Sequence, residues 1–424
     1  MMAKIMKGII INRLGPLFLL FCTFYLSGCS NDSKVNKEEL TIIDTGSKVG
    51  GEPNLAIDRN GTPYLSWVEY TDDSTDVLQF ALLKTDFWSN VRAIASGNDW
   101  FVNWADFPSM AIHHENPKLM AAHWLQKSAS GTYDYDVRIS ISQNGGEDWS
   151  PSFIPHRDSI SAEHGFVSML SIPNQQFFAT WLDGRNTKSG TSSAAHDSHE
   201  HSGGPMTLRA ATFDQEGNLY NEVELDNRVC DCCQTAAVNT TSGIVVAYRD
   251  RSENEIRDIS IIRQTGFGWS EPKVISNDNW EIAGCPVNGP AIDAIGNNLA
   301  IAWFTGANDQ SKVQVIFSDD AGATFSEPIR VDGGHPLGRV DLVMLSESTT
   351  LVSWIEQNEV KTELLTRKIS SNGSSSPVRK ITEIAGSRSS GFPRMIHSKD
   401  QIIFAWTKTK ALKTSIVTGY IKNE

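Results

Sequence analysis

Cysteine is scarce in this chain, with six residues in 424, and two of them, Cys22 and Cys29, fall within the first 29. Positive charge is scarce too: 37 Lys and Arg stand against 50 Asp and Glu, a formal net charge of −13. A surface of that sign repels phosphate backbones and anionic headgroups, so nucleic acid is excluded as a partner. Long helical periodicity is missing as well, which leaves strands to build the fold.

What is present begins with an export signal. Lys4, Lys7 and Arg13 precede the apolar run "LGPLFLLFCTFYLSG" (14–28), which is too short for a membrane span and ends at a cleavage-like site. The residues Leu26-Ser27-Gly28-Cys29 resemble the lipobox of bacterial lipoproteins. The resemblance implies that Cys29 becomes the lipidated first residue of the mature chain, anchored to a membrane of the cell envelope. Ser30 resembles the signal for the outer rather than the inner membrane, with the protein facing the periplasm or the surface. Residues 30–39, "SNDSKVNKEE", are polar and form a tether, and 40–424 make one folded domain. Four thiols stay in that domain: Cys230, Cys232, Cys233 and Cys285.

One pattern recurs along the domain: a short apolar strand, a turn, and a second strand ending in an aromatic. The aromatics are Trp67, Trp124, Trp181, Tyr248, Trp303, Trp354 and Trp406, at intervals of 51 to 67 residues. A third alternating strand follows each, as in "VRISIS" (137–142) and "VQVIFS" (313–318), and then a shorter fourth. Four antiparallel strands repeated about a ring make an all-β propeller of seven blades. The last unit is one strand short, and "LTIIDTG" (40–46), left over before the first unit, supplies it and closes the ring.

Two turns between third and fourth strands carry a further pattern. "SDDAGATF" has Ser318, Asp320, Gly322 and Phe325, and "SQNGGEDW" has Ser142, Asn144, Gly146 and Trp149. The Asp or Asn oxygen caps turn amides, Gly takes the left-handed position, and the aromatic plugs the turn. These turns resemble the Asp-box of sialidases and related repeat propellers, which makes six blades, as in sialidases, the alternative to seven. The resemblance implies a protein that binds or hydrolyses a glycan, specifically an acidic sugar. Sialidases clamp the substrate carboxylate with three Arg and use a Tyr paired with Glu as nucleophile and an Asp as acid. The matching candidates are Arg185, Arg249, Arg251 and Arg339 with Arg394 beside them, Tyr135 next to Tyr133, and Asp106. The chain departs from that family where "GGEPNL" stands in place of a Phe-Arg-Ile-Pro start, and in its seven repeats.

Propeller geometry places the start of each first strand and the end of each second strand on one rim, where function on loops is the usual arrangement. Cys230, Cys232 and Cys233 open the fourth unit and Cys285 opens the fifth, so the thiols are neighbours there. His164 opens the third unit, and His196, His199 and His201 lie in a long loop after Trp181. Thiolate with imidazole suits copper or zinc, whereas structural disulfides are the plainer use of the same cysteines. Three readings therefore stand: a glycan-active propeller, a metal or redox propeller without hydrolysis, and a protein-interaction scaffold. Converging guanidinium groups mark the first, and sulfurs within ligand distance of a His mark the second.

The lipobox reading predicts that radiolabelled fatty acid is incorporated into the wild-type protein and not into Cys29→Ser, which moves to the soluble fraction. Equal labelling of both would overturn it.

Overall fold

The computed structural model describes residues 39–71, 74–188, 203–411 and 413–423. Cys29 and the three loop histidines, His196, His199 and His201, lie outside the described residues.

Seven antiparallel sheets form a seven-bladed propeller. Blade 1 runs Gly50–Ile57, Pro63–Tyr70, Asp76–Leu82 and Arg92–Gly97, each strand paired with the next. The first strands of the following blades are Ser109–Ile112, His164–Ile172, Ala236–Thr240, Ala291–Ile295, Pro336–Ser346 and Arg394–Ser398. These first strands touch one another in sequence around the ring, and together they line a central cavity of about 200 Å³. The ring closes as the repeat pattern predicts. Thr41–Ile43 pairs antiparallel with the C-terminal strand Lys413–Lys422, Ile42 opposite Gly419, and so completes blade 7.

Fourth strands are where blades depart from the plan, and proline explains where. Blade 2 has three strands, and its fourth position is reduced to a single bridge between Ile139 and Phe153, flanked by Pro151 and Pro155. In blade 4 the outer position splits into Gly268–Trp269 and Lys273–Val274 around Pro272. A residue without an N–H cannot sustain a ladder, and at the outer edge nothing else demands one.

The interior is set by the repeat aromatics. Trp67, Trp181, Trp303, Trp354 and Tyr248 are fully buried, and Trp124 and Trp406 nearly so. The Trp67 Nε1–H donates to Glu69 (2.9 Å), that of Trp181 to Asp183 (2.9 Å) and that of Trp354 to Glu356 (2.8 Å). Trp303 reaches Asp278 (2.7 Å) and the Tyr248 hydroxyl reaches Asp226 (2.5 Å). A buried polar group left unpaired costs on the order of 1–3 kcal/mol, so these acids are structural partners of the rings.

The two singled-out turns share one hydrogen-bond scheme. Ser142 Oγ receives the Gly146 N–H (2.8 Å) while Asn144 Oδ1 takes the Asp148 N–H (3.0 Å). Ser318 Oγ likewise receives the Gly322 N–H (2.8 Å) and Asp320 Oδ1 the Thr324 N–H (2.8 Å). Gly146 and Gly322 have φ of +80° and +83°, and a Cβ at Gly322 would stand 2.9 Å from Ile261. Trp149 meets Phe80 edge to face at 6.2 Å, and Phe325 packs against the blade 4–5 core.

Deleting residues 40–43 strips the partner from the C-terminal strand and exposes its edge. The expected result is a melting temperature lower by several degrees, at about 2–4 °C per kcal/mol for a domain of this size or somewhat smaller, with aggregation promoted by the open edge. An unchanged melting temperature would show that closure contributes nothing.

Candidate functional site

Three blades carry the same device at the start of the first strand. In blades 1, 3 and 6 the register with the second strand slips by a bulge. The residue at each slip is a non-glycine with positive φ: Glu52 (+53°), Phe166 (+54°) and Arg339 (+54°). Such bulges cost energy and are held by surrounding contacts. The preceding blade supplies the hold in two of them: Asp106 Oδ1 accepts the Phe166 N–H at 2.7 Å, and Asn288 Oδ1 accepts the Arg339 N–H at 2.6 Å.

Asp106 has a second oxygen, and it faces a phenol. Tyr135 opens the third strand of blade 2, Tyr135–Ser142, and its hydroxyl lies 3.2 Å from Asp106 Oδ2 and 2.9 Å from Glu163 Oε1. Glu163 is pinned by backbone from both sides: its neighbour Ala162 accepts the Tyr135 N–H (3.0 Å), and its own carbonyl accepts the Gly184 N–H (2.7 Å). Gly165 leaves the room these groups occupy, since a Cβ there would stand 2.0 Å from Asp106 Oδ2.

One phenol has one proton, so it cannot donate to two carboxylates at once. Burial settles the conflict by favouring neutral forms. It pushes Asp106 up to about 7, against the hydrogen bonds from Phe166 and Tyr135, and pushes Glu163 well above the carboxylate range, where Asp106, Asp231 and Cys285 add to the shift. Tyr135 is likewise held well above 10 by burial and by the two acids. The three groups thus share protons near neutral pH.

This triad forms part of the wall of a cavity of about 170 Å³, whose other walls include Phe101, Trp104, Tyr133, Cys232, Cys285 and Arg388. Phe101 stacks on Tyr135 with ring centroids 4.1 Å apart. Arg388 is exposed, lies over Trp104 at 5.9 Å, and forms no salt bridge among the described residues. Tyr135, Asp106, Cys232 and Cys285 were expected at this rim. Glu163 and Arg388 were not. Glu163 stands two residues before Gly165, and a carboxylate beside an obligatory small residue where a strand begins was the available signal.

The expected arginine clamp does not assemble, because each guanidinium is already committed. Arg185 sits on Asp183 (2.7 Å), Asp158 (3.2 Å) and Glu222 (3.3 Å). Arg249 is buried and donates to the carbonyls of Asn288, Arg257 and Phe304 over the ring of Trp280. Arg251 pairs with Glu255 (2.7 Å) and Arg394 with Asp341 (3.5 Å). Arg339 donates to Ser387, Ser390 and Gly391 and lies over Trp104 at 4.9 Å.

His164 also departs from expectation. It stands in a separate cluster, stacked on His156 at 3.7 Å, with Asp158 on Nε2 (2.9 Å) and the Ala162 carbonyl on Nδ1 (3.2 Å). Both ring nitrogens face acceptors, which suits an imidazolium, and although burial opposes the charge, Asp158 and Asp183 raise its pKa. With Asp136 and His156, and with Asp158 and Asp183, His164 lies in two groups of possible ligand atoms within 4.8 Å of one another, neither of which includes a cysteine. The thiols do converge. Cys230, Cys232 and Cys233 lie within 4.8 Å of one another, and Cys285 joins Cys232 and Asp231 in a neighbouring group.

No known family's sequence profile matches the chain, and no curated protein matches it. Among solved structures the fold is similar to that of the polysaccharide lyase Uly1, at 9% identity over 88% of this chain and 90% of that one, TM-score 0.51. A protein of unknown function from Dyadobacter fermentans DSM 18053 aligns at 11% identity over 91% and 98%, TM-score 0.48. The Hadza microbial sialidase Hz136 aligns at 12% identity over 73% and 63%, TM-score 0.43. At these identities the likeness is one of fold.

A carboxyl whose folded pKa is raised binds a proton that the unfolded chain has already released. Its contribution to stability is full below about pH 4 and is lost as pH rises through about 7. Asp106→Asn keeps the acceptor for Phe166, as Asn288 does for Arg339, and removes this titration. Urea unfolding should show wild-type stability falling from pH 5 to 8 and the variant falling less. The two curves should diverge by a few kcal/mol at most, since each tenfold change in proton affinity on folding corresponds to about 1.4 kcal/mol. Glu52, also raised to about 7 by burial, leaves a residual slope of the same sign. Equal slopes would mean that Asp106 is ionised throughout.

Proposed function

We propose that this chain is a glycan-active propeller that hydrolyses a glycosidic bond of an acidic sugar in the Tyr135 cavity. The observation that carries the reading is the phenol held between two carboxyls whose pKa values burial has raised, on the wall of a cavity of about 170 Å³. That volume admits one sugar ring. The cavity is lined by the aromatic side chains of Phe101, Trp104 and Tyr133, and such faces pack against the C–H face of a pyranose. Arg388, without a carboxylate partner among the described residues, supplies a donor for the sugar's own carboxylate.

The chemistry follows from the proton sharing. A phenol held well above pKa 10 is not a free phenolate, so Tyr135 attacks the anomeric carbon as its proton passes to Asp106, the acid of the pair that ionises near neutral pH. The bond from that carbon to the leaving oxygen breaks, and Glu163, which burial keeps protonated, gives the leaving oxygen its proton. Water then cleaves the aryl glycoside with the same groups acting in reverse. A neutral nucleophile suits an acidic sugar because an anionic one would meet the substrate's carboxylate.

The test is a panel of fluorogenic glycosides of acidic and neutral sugars. Turnover of an acidic member is expected, with Glu163→Gln lowering kcat by about 10²–10⁴-fold and Tyr135→Phe by at least as much, while calorimetric binding persists. No binding and no turnover across the panel, or full activity in Tyr135→Phe, would overturn the assignment.

A further inference from the structure

The proton-sharing triad uses none of the thiols, although Cys232 and Cys285 line the same cavity. Cys230 and Cys233 are fully buried on the turn that leads into blade 4, and Cys232 between them in sequence is only partly covered. The Cys230 sulfur lies 3.4 Å from that of Cys233 and 3.8 Å from that of Cys232. Three thiolates about 2.3 Å from one tetrahedral cation stand about 3.8 Å apart, so the cluster is already near ligand spacing.

The charges around the sulfurs separate this use from disulfides. The Arg257 guanidinium, itself buried, reaches Cys230 Sγ at 3.3 Å while also pairing with Asp231 (3.1 Å) and Glu255 (2.8 Å). Arg251 pairs with Glu255 and lies 3.8 Å from Asp231, so these two arginines and two acids balance. Arg249 adds a further buried positive charge, which the buried Asp258 also feels. Arg249 is 1% exposed, and the acceptors of its hydrogen bonds are backbone carbonyls. Buried guanidinium groups beside the sulfurs favour anions there, which a neutral disulfide does not supply. Thiolates do.

We propose that Cys230, Cys232 and Cys233 form a three-thiolate site for one thiophilic cation, Zn²⁺ or Cu⁺, at the cavity wall beside Tyr135. Soft sulfur ligands select these ions over hard ones. With a dication the three thiolates keep one negative charge, which Arg249 offsets, so zinc gives the closer balance. Binding displaces the remaining thiol protons to solvent and involves no electron transfer. Cys285, grouped with Cys232 and Asp231 and not with the other two sulfurs, is outside the set.

The experiment uses the full folded domain purified under nitrogen without chelator or reductant. Metal content is measured by mass spectrometry and thiols by titration before and after denaturation with chelator. About one equivalent of zinc or copper per chain is expected, with at least three thiols that react only after denaturation. Cys232→Ser, at the partly exposed ligand, should lose the metal while its circular dichroism stays that of the wild type, and Cys285→Ser should keep it. Metal content identifies which of the two ions is held. Absence of thiols even after denaturation, which means disulfides, or full metal retention in Cys232→Ser, would overturn the site.

Discussion

Each blade depends on a ring that must be buried and yet has one polar hydrogen to place. A large aromatic at the end of the second strand fills the space between neighbouring sheets, and truncating such a side chain in a core costs about 3–5 kcal/mol. A buried Trp N–H or Tyr O–H usually finds an acceptor. Five of the seven find a carboxylate: Glu69, Asp183, Asp226, Asp278 and Glu356. Glu69 extends the effect, because its second oxygen takes the N–H groups of Lys48 and Val49, the link from the closing strand into blade 1. Blade 2 lacks the device. The Trp124 N–H has no partner among the described residues, and the ring stacks instead on Trp100 at 5.5 Å.

This constraint decides which rim residues remain available for chemistry. Glu69, Asp183 and Glu356, each two positions after a repeat aromatic, are spent on the ring, and the Asp183–Arg185 pair belongs with them. Chemistry is left to the seam between blades 2 and 3, where the bulge at Phe166 requires an acceptor from the neighbouring blade. Asp106 meets that need with one oxygen and presents the other to Tyr135. The strained backbone and the proton-sharing triad are therefore one construction. Asn288 at the Arg339 bulge shows that an amide suffices for the structural part alone, so the ionisable group at Asp106 answers to something besides the fold.

Much of the architecture was legible because a repeat announces itself. Seven aromatics at near-constant spacing, and a leftover strand at 40–46, specify the ring and its closure without any tertiary information. The site was legible only where it follows from blade position: Tyr135, Asp106 and the four cysteines were placed at the rim by counting. Glu163 escaped because its role exists only through Tyr135, 28 residues earlier and on another blade. The arginines misled for the opposite reason. A guanidinium in a polar loop looks available in a sequence, whereas Arg249 is held by three backbone carbonyls, and Nη1 of Arg339 by two carbonyls and the Ser390 hydroxyl, that no sequence displays.

The triad and the thiols share more than a wall. Burial is the main reason Glu163 is held protonated, and the charges of Asp231 and Cys285 reinforce it. A cation placed among the cysteines would act on Glu163 in the opposite direction, since a bound metal is the largest local charge and reverses the logic of neighbouring acids. Glu163 would then ionise more readily and hold less of the proton it has to give, while Asp106, tied to the backbone of Phe166, would feel the change less. A metal at the start of blade 4 would thereby act on the proposed proton transfer at the blade 2–3 seam by electrostatics across a cavity of about 170 Å³, without any movement of the blades that hold them.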